Sequence, residues 1–208
     1  MKKYIEKSLH KAIDYKDYKI RLNIALESEK VRNHPDLALL EYLKLNKSRM
    51  ARIDKQFVLQ QFCRETYDTK PNGKFTWLVI AEPWCGDAAQ VLPVLHKMSA
   101  NCAQVDLKIA LRDENPELMS QFLTRGKKSI PKLIALDKNL DVIFTWGPRP
   151  KEAQKIVEDD IRIHKKLSRE GQIKLQKWYN QDNGAAIEAE LFELINVTLQ
   201  NAKHTKKV

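Results

Sequence analysis

The chain has 208 residues, of which 43% are apolar and 31% charged, and this globular composition excludes a disordered or fibrous chain. No apolar run reaches the roughly 18 residues that span a bilayer, and the first residues lack the apolar region of a secretory signal. We therefore expect a cytoplasmic protein without a membrane partner.

The positive charge is concentrated in the N-terminal third of the chain. Residues 1–74 carry 17 basic and 10 acidic residues, a net +7 of the total +10. The basic residues are mostly lysines that lie among acidic ones, without an RNA-binding signature or a basic–aromatic alternation. This pattern is more typical of a solvated helical surface than of attraction to nucleic acid or an acidic partner, so we expect no nucleic-acid partner.

Residues 1–70 are predicted to form a helical N-terminal extension. Apolar residues recur at helical spacing, with a break at His34-Pro35 and a capping Asp36 after it. A further amphipathic helix is predicted from Phe57 to Phe62. The recurring positions are Ile5, Leu9, Ala12, Ile13, Tyr18, Leu22, Ala25, Leu26, Leu37, Leu40 and Leu43.

From residue 75 the pattern alternates between short apolar runs and amphipathic helices. The runs at 75–81, 105–111, 133–136 and 142–146 predict strands. Helices follow the first, second and fourth runs, whereas only a turn separates the third from the fourth. This order predicts an α/β fold with parallel pairing in its first half and a hairpin of the last two strands.

Two helical predictions carry specific boundaries. After the second strand, Asn115 is the predicted cap and Pro116 the first helical residue, with Gly126 as the stop. The inward side chains of this helix are Leu118, Met119, Phe122 and Leu123. Residues 166–208 are predicted to form a C-terminal helical extension that packs on the core, with helix over 168–202.

Cys85 stands between the first strand and the next helix, in the segment E-P-W-C-G-D-A at 82–88. A thiol at a helix N-terminus faces unpaired backbone N–H groups and the positive end of the helix dipole, which stabilise the thiolate. We expect its pKa to lie below the value of about 8.5 for a free cysteine, although the charge of Asp87 would raise it again. Because the thiolate is the nucleophile, Cys85 is the candidate catalytic residue.

The other cysteines do not complete a site with Cys85. The three form no CxxC pair and have no histidine at metal-ligand spacing, so no metal or cofactor is expected. Cys102 lies past the far end of the helix that Cys85 begins, roughly 16 residues of 1.5 Å rise away and therefore beyond disulfide reach. Cys63 is interpreted as a small apolar residue on a helix face.

The segment around Cys85 resembles the thioredoxin superfamily. Its W-C-G letters lie between a strand and a helix, and Pro93 follows Cys85 by eight residues, where thioredoxins carry a proline that kinks this helix. Ile130-Pro131 precedes a strand, where the family has its cis-proline. Gly147 follows Pro131 by sixteen residues, at the family offset.

A closer resemblance covers nearly the whole chain. A bacterial branch of thioredoxin-like proteins combines W-C-G-D-A or W-C-G-D-S with L-R-D-E-N, W-G-P-R-P and helical extensions at both ends. This chain has the three segments at 84–88, 111–115 and 146–150. The resemblance implies a thioredoxin-like fold over 75–165, in which helices flank a central mixed sheet.

The resemblance also implies a substrate-binding surface around the thiol. The peptide bond before Pro131 would be cis, and the backbone of Ile130 would then lie beside the thiol and hydrogen-bond an extended peptide. Trp84 would shape the substrate groove, with simple packing of the helix start as its alternative. From its size, Gly86 is expected to leave open space beside the sulfur.

Three charged residues have two interpretations each. Asp87 either orients a substrate or exchanges a proton with the thiolate, or it is a first-turn helix cap. Arg112 and Arg149 either bind an anionic substrate group or are ordinary surface or ion-paired arginines. We take Asp87 as a candidate catalytic residue together with Cys85.

Two departures from thioredoxin limit the function that can be inferred. Ala88 stands where thioredoxins have the resolving cysteine, and Val79 where they bury an aspartate that serves it. A mixed disulfide on Cys85 therefore cannot be released within this motif. One hypothesis is monothiol exchange with a protein or small-thiol disulfide, released by an external thiol such as glutathione, bacillithiol or cysteine.

Two alternatives stay open. The first is a peptide- or protein-binding module that keeps the groove without redox turnover, with helical extensions that cover the groove or form a homodimer. The second is an iron–sulfur cluster shared by two chains and a small thiol, as in some monothiol glutaredoxins. The chain has Gly-Asp-Ala where those proteins have Gly-Phe-Ser, and it lacks a glutathione-binding signature, which disfavours the cluster.

Overall fold

The structure, a computed structural model, describes residues 1–28, 37–59 and 74–204. Its sheet has the order β2-β1-β3-β4. The strands are β1 (Phe75–Ala81), β2 (Val105–Leu111), β3 (Lys132–Leu136) and β4 (Val142–Trp146). β1 pairs in parallel with β2 and antiparallel with β3, and β3 pairs antiparallel with β4. The predicted parallel pair and hairpin are therefore confirmed, within a mixed sheet flanked by helices.

Helices precede, separate and follow the strands. They are α1 (Lys2–Leu9), α2 (Tyr15–Glu27), α3 (Leu37–Gln56), α4 (Gly86–Ala100), α5 (Pro116–Gln121), α6 (Lys151–His164), α7 (Arg169–Asp182) and α8 (Ala185–His204). Among the described helices, none combines the length and apolarity needed to cross a bilayer.

The N-terminal segment departs from the predicted helices at two points. α1 ends at Leu9, because Ile13 exchanges two backbone hydrogen bonds with Ile109 of β2, at 2.9 and 2.8 Å, and so lies along the sheet edge. Phe57 is buried but lies after the end of α3, outside a helix, so the start of the helix predicted there is wrong. The remaining residues of that prediction, and those of the predicted break and cap at 34–36, lie outside the described residues.

The second half departs in two further places. α5 ends at Gln121 rather than at Gly126, and Leu123 is 41% exposed, so its predicted inward orientation is wrong. The helix predicted over 168–202 is two helices, α7 and α8, because Asn183 and Gly184 both have left-handed φ angles of 50° and 94°. This turn brings Gly184 against α4, where an added Cβ would lie 2.7 Å from Val94 Cγ2.

One hydrophobic core joins the sheet to both extensions. From Trp77 to Ala81, every residue of β1 is at most 1% exposed, as predicted for a strand buried on both faces. Burial of each large apolar side chain contributes roughly 1.5–3 kcal/mol. The extensions contribute Ile5, Tyr18, Leu22, Met50, Ile53, Ile187, Leu191 and Ile195 to the same core.

A smaller cluster joins α6 to α7. It contains Ala153 and Val157 from α6 and Leu175 and Tyr179 from α7. Since α6 follows directly from Trp146-Gly147-Pro148-Arg149-Pro150, this cluster places α7 next to the end of the sheet where Cys85 lies.

Gly147 packs its Cα against the backbone of Pro131, so a larger residue there should destabilise the protein. Its φ is 106°, and an added Cβ would lie 2.4 Å from the Pro131 carbonyl oxygen. We expect Gly147→Ala to lower the free energy of unfolding by about 3 kcal/mol or more, as measured by urea denaturation. Gly126→Ala is the control, because Gly126 also has a left-handed φ, of 74°, but open space around it. It should cost about 1–2 kcal/mol, and equal losses in the two variants would contradict the steric argument.

Candidate functional site

Cys85 is the N-cap residue of α4. Its Sγ accepts a hydrogen bond from the backbone N–H of Ala88 at 3.5 Å, and donates one to the carbonyl oxygen of Ile130 at 3.3 Å. The residue is only 8% exposed. The sulfur therefore lies between the start of α4 and the loop that enters β3.

The loop that enters β3 contains the cis peptide bond between Ile130 and Pro131, the isomer that the thioredoxin resemblance implies. Ile130 is 7% exposed, and its carbonyl group is engaged by the Cys85 thiol. A second cis peptide bond, which the sequence did not predict, joins Gly147 to Pro148. The structure thus brings together the Cys85 segment, Pro131 and Gly147, which lie far apart in the chain.

The expected low pKa of Cys85 is wrong. Burial raises the pKa of the thiol to about 12, and the negative charge of Asp87 adds to this shift. The backbone hydrogen bonds at the start of α4 and the charge of Arg149 act in the opposite direction but are smaller. The sequence indicated the helix end correctly, whereas the loss of solvent around the sulfur depends on distant parts of the chain.

Asp87 is held by two residues from the C-terminal half of the chain. Arg149 Nη2 lies 2.6 Å from Asp87 Oδ2, and both side chains are largely buried, with 19% and 10% exposure. The Tyr179 hydroxyl donates to Asp87 Oδ1 at 2.9 Å. Burial, and then the charge of Asp87, raise the pKa of Tyr179 above its usual range, so Tyr179 remains a hydrogen-bond donor at neutral pH.

α3, in the N-terminal extension, covers the other side of this segment. Asn46 Nδ2 donates to the Pro83 carbonyl at 2.9 Å, and Arg49 Nη1 donates to Asn46 Oδ1 at 2.8 Å. A Cβ added to Gly86 would lie 3.0 Å from Arg49 Nη1. The open space expected beside Gly86 is therefore occupied by Arg49, and that expectation is wrong.

A buried glutamine connects both extensions to α4. Gln90, one turn after Asp87, has no exposed surface. Its Oε1 accepts from Arg52 Nη2 of α3 at 2.9 Å, and its Nε2 donates to Gln176 Oε1 of α7 at 2.9 Å. The first two turns of α4 are thus held between an N-terminal and a C-terminal helix.

Trp84 forms the exposed edge of the site, with 36% of its surface accessible. The Arg112 guanidinium lies 4.6 Å from the Trp84 ring centroid, within the range of a cation–π interaction. Arg112 also pairs with Asp113 at 2.9 Å. Glu82 is buried beside them and accepts from the backbone N–H of Asp113 at 2.8 Å, and burial raises its pKa.

The remaining cysteines stay outside this arrangement. Cys102 is buried, forms no disulfide with Cys85 and follows α4, whose 15 residues lie between the two cysteines. Cys63 lies outside the described residues. Among the residues that are described, no group of three or more His, Cys, Asp or Glu side chains is arranged to hold a metal ion.

Several residues of the site could not be identified from the sequence. Asn46, Arg49 and Tyr179 contact the Cys85 segment but lie in helices where the sequence shows only periodicity. Tyr18 is also buried, and its pKa is raised first by that burial and then by the nearby Cys85 and Glu82. The only sequence signal for a contact with the Cys85 segment was W-G-P-R-P at 146–150, which contains Arg149.

Comparisons with known proteins agree with this architecture. The sequence model of the family Thioredoxin_9, described as Thioredoxin, matches residues 33–166. No curated protein matches the chain.

Two solved structures are similar to the chain. An HIV epitope-scaffold protein is 17% identical with a TM-score of 0.54, over 77% of this chain and 91% of its own. A Pseudomonas aeruginosa protein of unknown function is 19% identical with a TM-score of 0.48, over 74% of this chain and 92% of its own. The first of these likenesses supports the fold alone. The family match covers more than half of the chain, and the chain belongs to this thioredoxin family.

Proposed function

We propose that the chain catalyses thiol–disulfide exchange with Cys85 as its single nucleophile, in the cytoplasm and with release by an external thiol. The observation that carries this proposal is the position of the sulfur. Cys85 Sγ lies within hydrogen-bond distance of both the first turn of α4 and the carbonyl group before Pro131. A disulfide substrate that adds its backbone beside Ile130 would place its sulfur next to Cys85, at the edge formed by Trp84.

The proposed reaction has two exchange steps. The Cys85 thiolate attacks one sulfur of a substrate disulfide, forms a mixed disulfide with it and expels the other sulfur as a thiolate, which takes a proton. An external thiolate then attacks the mixed disulfide and forms a disulfide with the substrate's sulfur. The Cys85–substrate bond breaks, and Cys85 returns as a thiolate and takes a proton. Asp87 is the proposed proton acceptor and donor for Cys85, held in place by Arg149 and Tyr179.

The raised pKa of Cys85 leaves little of the reactive thiolate at neutral pH. With a pKa of about 12, the thiolate fraction of Cys85 at pH 7 is on the order of 10⁻⁵. Compared with a thiol of pKa 8.5, this fraction is about 3,000-fold lower, while the greater basicity raises the reactivity of each thiolate about 30-fold. The lower thiolate fraction outweighs the higher reactivity of each thiolate, so we expect the resting Cys85 thiol to react more slowly than an ordinary cysteine.

The test is the pH dependence of Cys85 modification. We expect iodoacetamide to modify Cys85 at a rate that rises about tenfold per pH unit from pH 7 to 11, read for each cysteine by mass spectrometry. With 2-hydroxyethyl disulfide as substrate, the mixed disulfide should form on Cys85. It should be absent in Cys85→Ser and unchanged in the matched Cys102→Ser. Exchange retained by Cys85→Ser would refute the proposal.

A second candidate function is a binding module without redox turnover. The observation that favours it is the 8% exposure of Cys85, whose thiol is also engaged by the Ile130 carbonyl. In this case Cys85→Ser should bind a given peptide with the same Kd as the natural protein. No adduct should form on Cys85 even at pH 10, where the exchange proposal predicts a much faster reaction than at pH 7.

A further inference from the structure

Arg49 of α3 lies beside the residue that follows the thiol in the chain. It is half-buried, and its Nη1 would be 3.0 Å from a Cβ added to Gly86. Because a Cα–Cβ bond is about 1.5 Å long and successive Cα atoms are about 3.8 Å apart, the guanidinium lies within about 9 Å of the Cys85 Cα. This distance is shorter than the Debye length of about 10 Å at 0.1 M salt, so the charge of Arg49 acts at the thiol.

The charge of Arg49 has no carboxylate partner within the described part of the chain. Its Nη1 donates to the neutral side chain of Asn46 at 2.8 Å. Burial lowers the pKa of Arg49, and the charge of Asp87 opposes this shift. Asp87 itself is already bound by Arg149 at 2.6 Å and by Tyr179 at 2.9 Å. Arg49 therefore remains a positive charge that a further carboxylate can neutralise.

Arg52, one turn further along α3, adds a second positive charge of the same kind. It donates to Gln90 Oε1 at 2.9 Å and to Asn183 Oδ1 at 3.2 Å, and both acceptors are neutral. No ion pair connects it to a carboxylate of the residues that the structure describes. The side of α3 that packs on α4 therefore carries two arginines without counter-charges.

The other charges around the thiol largely balance one another. Arg149 pairs with Asp87, and Arg112 pairs with Asp113. Glu82 is a buried carboxylate near the end of β2, where it accepts from the backbone N–H of Asp113 at 2.8 Å. The positive excess therefore lies on the α3 side of the site.

A substrate that reaches the thiol past Gly86 must displace the Arg49 side chain or bind it. A guanidinium is a planar group of N–H donors that matches the two oxygens of a carboxylate, and such charge-assisted bonds are stronger than neutral ones. A carboxylate near the reacting sulfur of a substrate can therefore pair with Arg49 while that sulfur lies at Cys85. An ammonium group in the same place would be repelled.

We propose that Arg49 is a specificity-determining residue that selects disulfide substrates with a carboxylate close to the reacting sulfur. This inference rests on the proposed exchange function and names the class of its first substrate. The Cys85 thiolate attacks the sulfur next to the carboxylate, and a new bond joins the two sulfurs. The disulfide bond of the substrate breaks, and its other half leaves as a thiolate that takes a proton.

The first test compares two alkylating reagents of similar size, iodoacetate, which is negatively charged, and iodoacetamide, which is neutral. Both react with the same thiolate, so the ratio of their rates at Cys85 does not depend on the pKa of the thiol. This ratio is divided by the ratio in the urea-unfolded protein. We expect Arg49→Gln to lower the normalised ratio about three- to tenfold at low salt. Arg49→Lys, which keeps the charge, should retain most of it.

Two further variants separate charge from structure. Arg49→Glu should lower the ratio below that of Arg49→Gln, an effect that loss of the hydrogen bond to Asn46 alone would not produce. Lys47→Gln, at an exposed lysine two residues earlier on α3, should leave the ratio unchanged. If Arg49→Gln does not fold, the ratio in the natural protein should still fall as salt rises from about 0.05 to about 0.5 M, because salt screens the attraction. Equal ratios in the natural protein, Arg49→Gln and Arg49→Glu would overturn the inference.

The second test uses disulfides and separates this inference from the proposed function. The mixed disulfide on Cys85 is followed by mass spectrometry with 3,3′-dithiodipropionate, 2-hydroxyethyl disulfide or cystamine, again relative to unfolded protein. We expect dithiodipropionate to react fastest in the natural protein, and Arg49→Gln to reduce this preference. If alkylation of Cys85 shows the charge preference but no disulfide reacts, the proposed function fails and the charge selection by Arg49 stands. If all three disulfides react at equal relative rates, the inference is overturned and the exchange function stands.

Discussion

Replacing Asp87 by Asn should increase the rate of Cys85 alkylation at pH 7 about three- to fortyfold. The carboxylate is the largest charge that raises the Cys85 pKa, and Asn removes the charge while its side-chain oxygen can still accept from Tyr179. Without the Asp87 carboxylate, Arg149 remains as the nearby charge that stabilises the thiolate. A shift of about 1–3 pKa units multiplies the thiolate fraction by 10 to 1,000, and the lower nucleophilicity of a less basic thiolate reduces this gain.

The measurements are the pH profile of iodoacetamide modification and a urea denaturation curve, because a looser structure would also lower the Cys85 pKa by exposing the sulfur. Asp106→Asn is the matched control, because Asp106 is exposed and lies at the start of β2, beside the start of β1 rather than its Cys85 end. An unchanged profile in a folded Asp87→Asn protein would show that burial alone keeps the thiol neutral. If this variant does not fold, the doubly substituted protein described next replaces it.

Replacing Arg149 by Met should lower the free energy of unfolding by about 3–5 kcal/mol. It leaves the Asp87 carboxylate buried with Tyr179 as its remaining described hydrogen-bond donor, and an uncompensated buried charge is strongly destabilising. The same change removes a positive charge that lowers the Cys85 pKa, so alkylation at pH 7 should become slower still. Urea denaturation and alkylation measure the two effects independently.

A double-mutant cycle separates the ion pair from general packing. Asp87→Asn combined with Arg149→Met removes both charges, so it should be more stable than Arg149→Met alone. The control is Arg125→Met at the exposed pair of Arg125 and Glu158, which should change stability by less than about 1 kcal/mol. Strictly additive losses at Asp87 and Arg149 would contradict a coupled buried pair.

The framework of the fold could be predicted from local sequence. The runs at 75–81 and 105–111 match β1 and β2. β1 is apolar because both of its faces are buried, whereas β2 keeps Asp106 exposed on one face. Cys85 is at a helix N-terminus because the strand ends and the helical periodicity starts beside it. The helix predictions were wrong where backbone contacts overrode the apolar periodicity, as at Ile13, which pairs with β2.

The sequence by itself determined the candidate nucleophile Cys85, the helix that it begins, and Ala88 at the position of the family's resolving cysteine. Only the tertiary structure decided whether the Cys85 thiol is ionised. Tyr179 lies 92 residues from Asp87, and Asn46 lies 37 residues from Pro83, so local patterns carry no information about either contact. The burial of the Cys85 sulfur depends on all the distant elements that pack around it. This burial raises the pKa of the thiol more than the start of α4 lowers it, so Cys85 stays a neutral thiol.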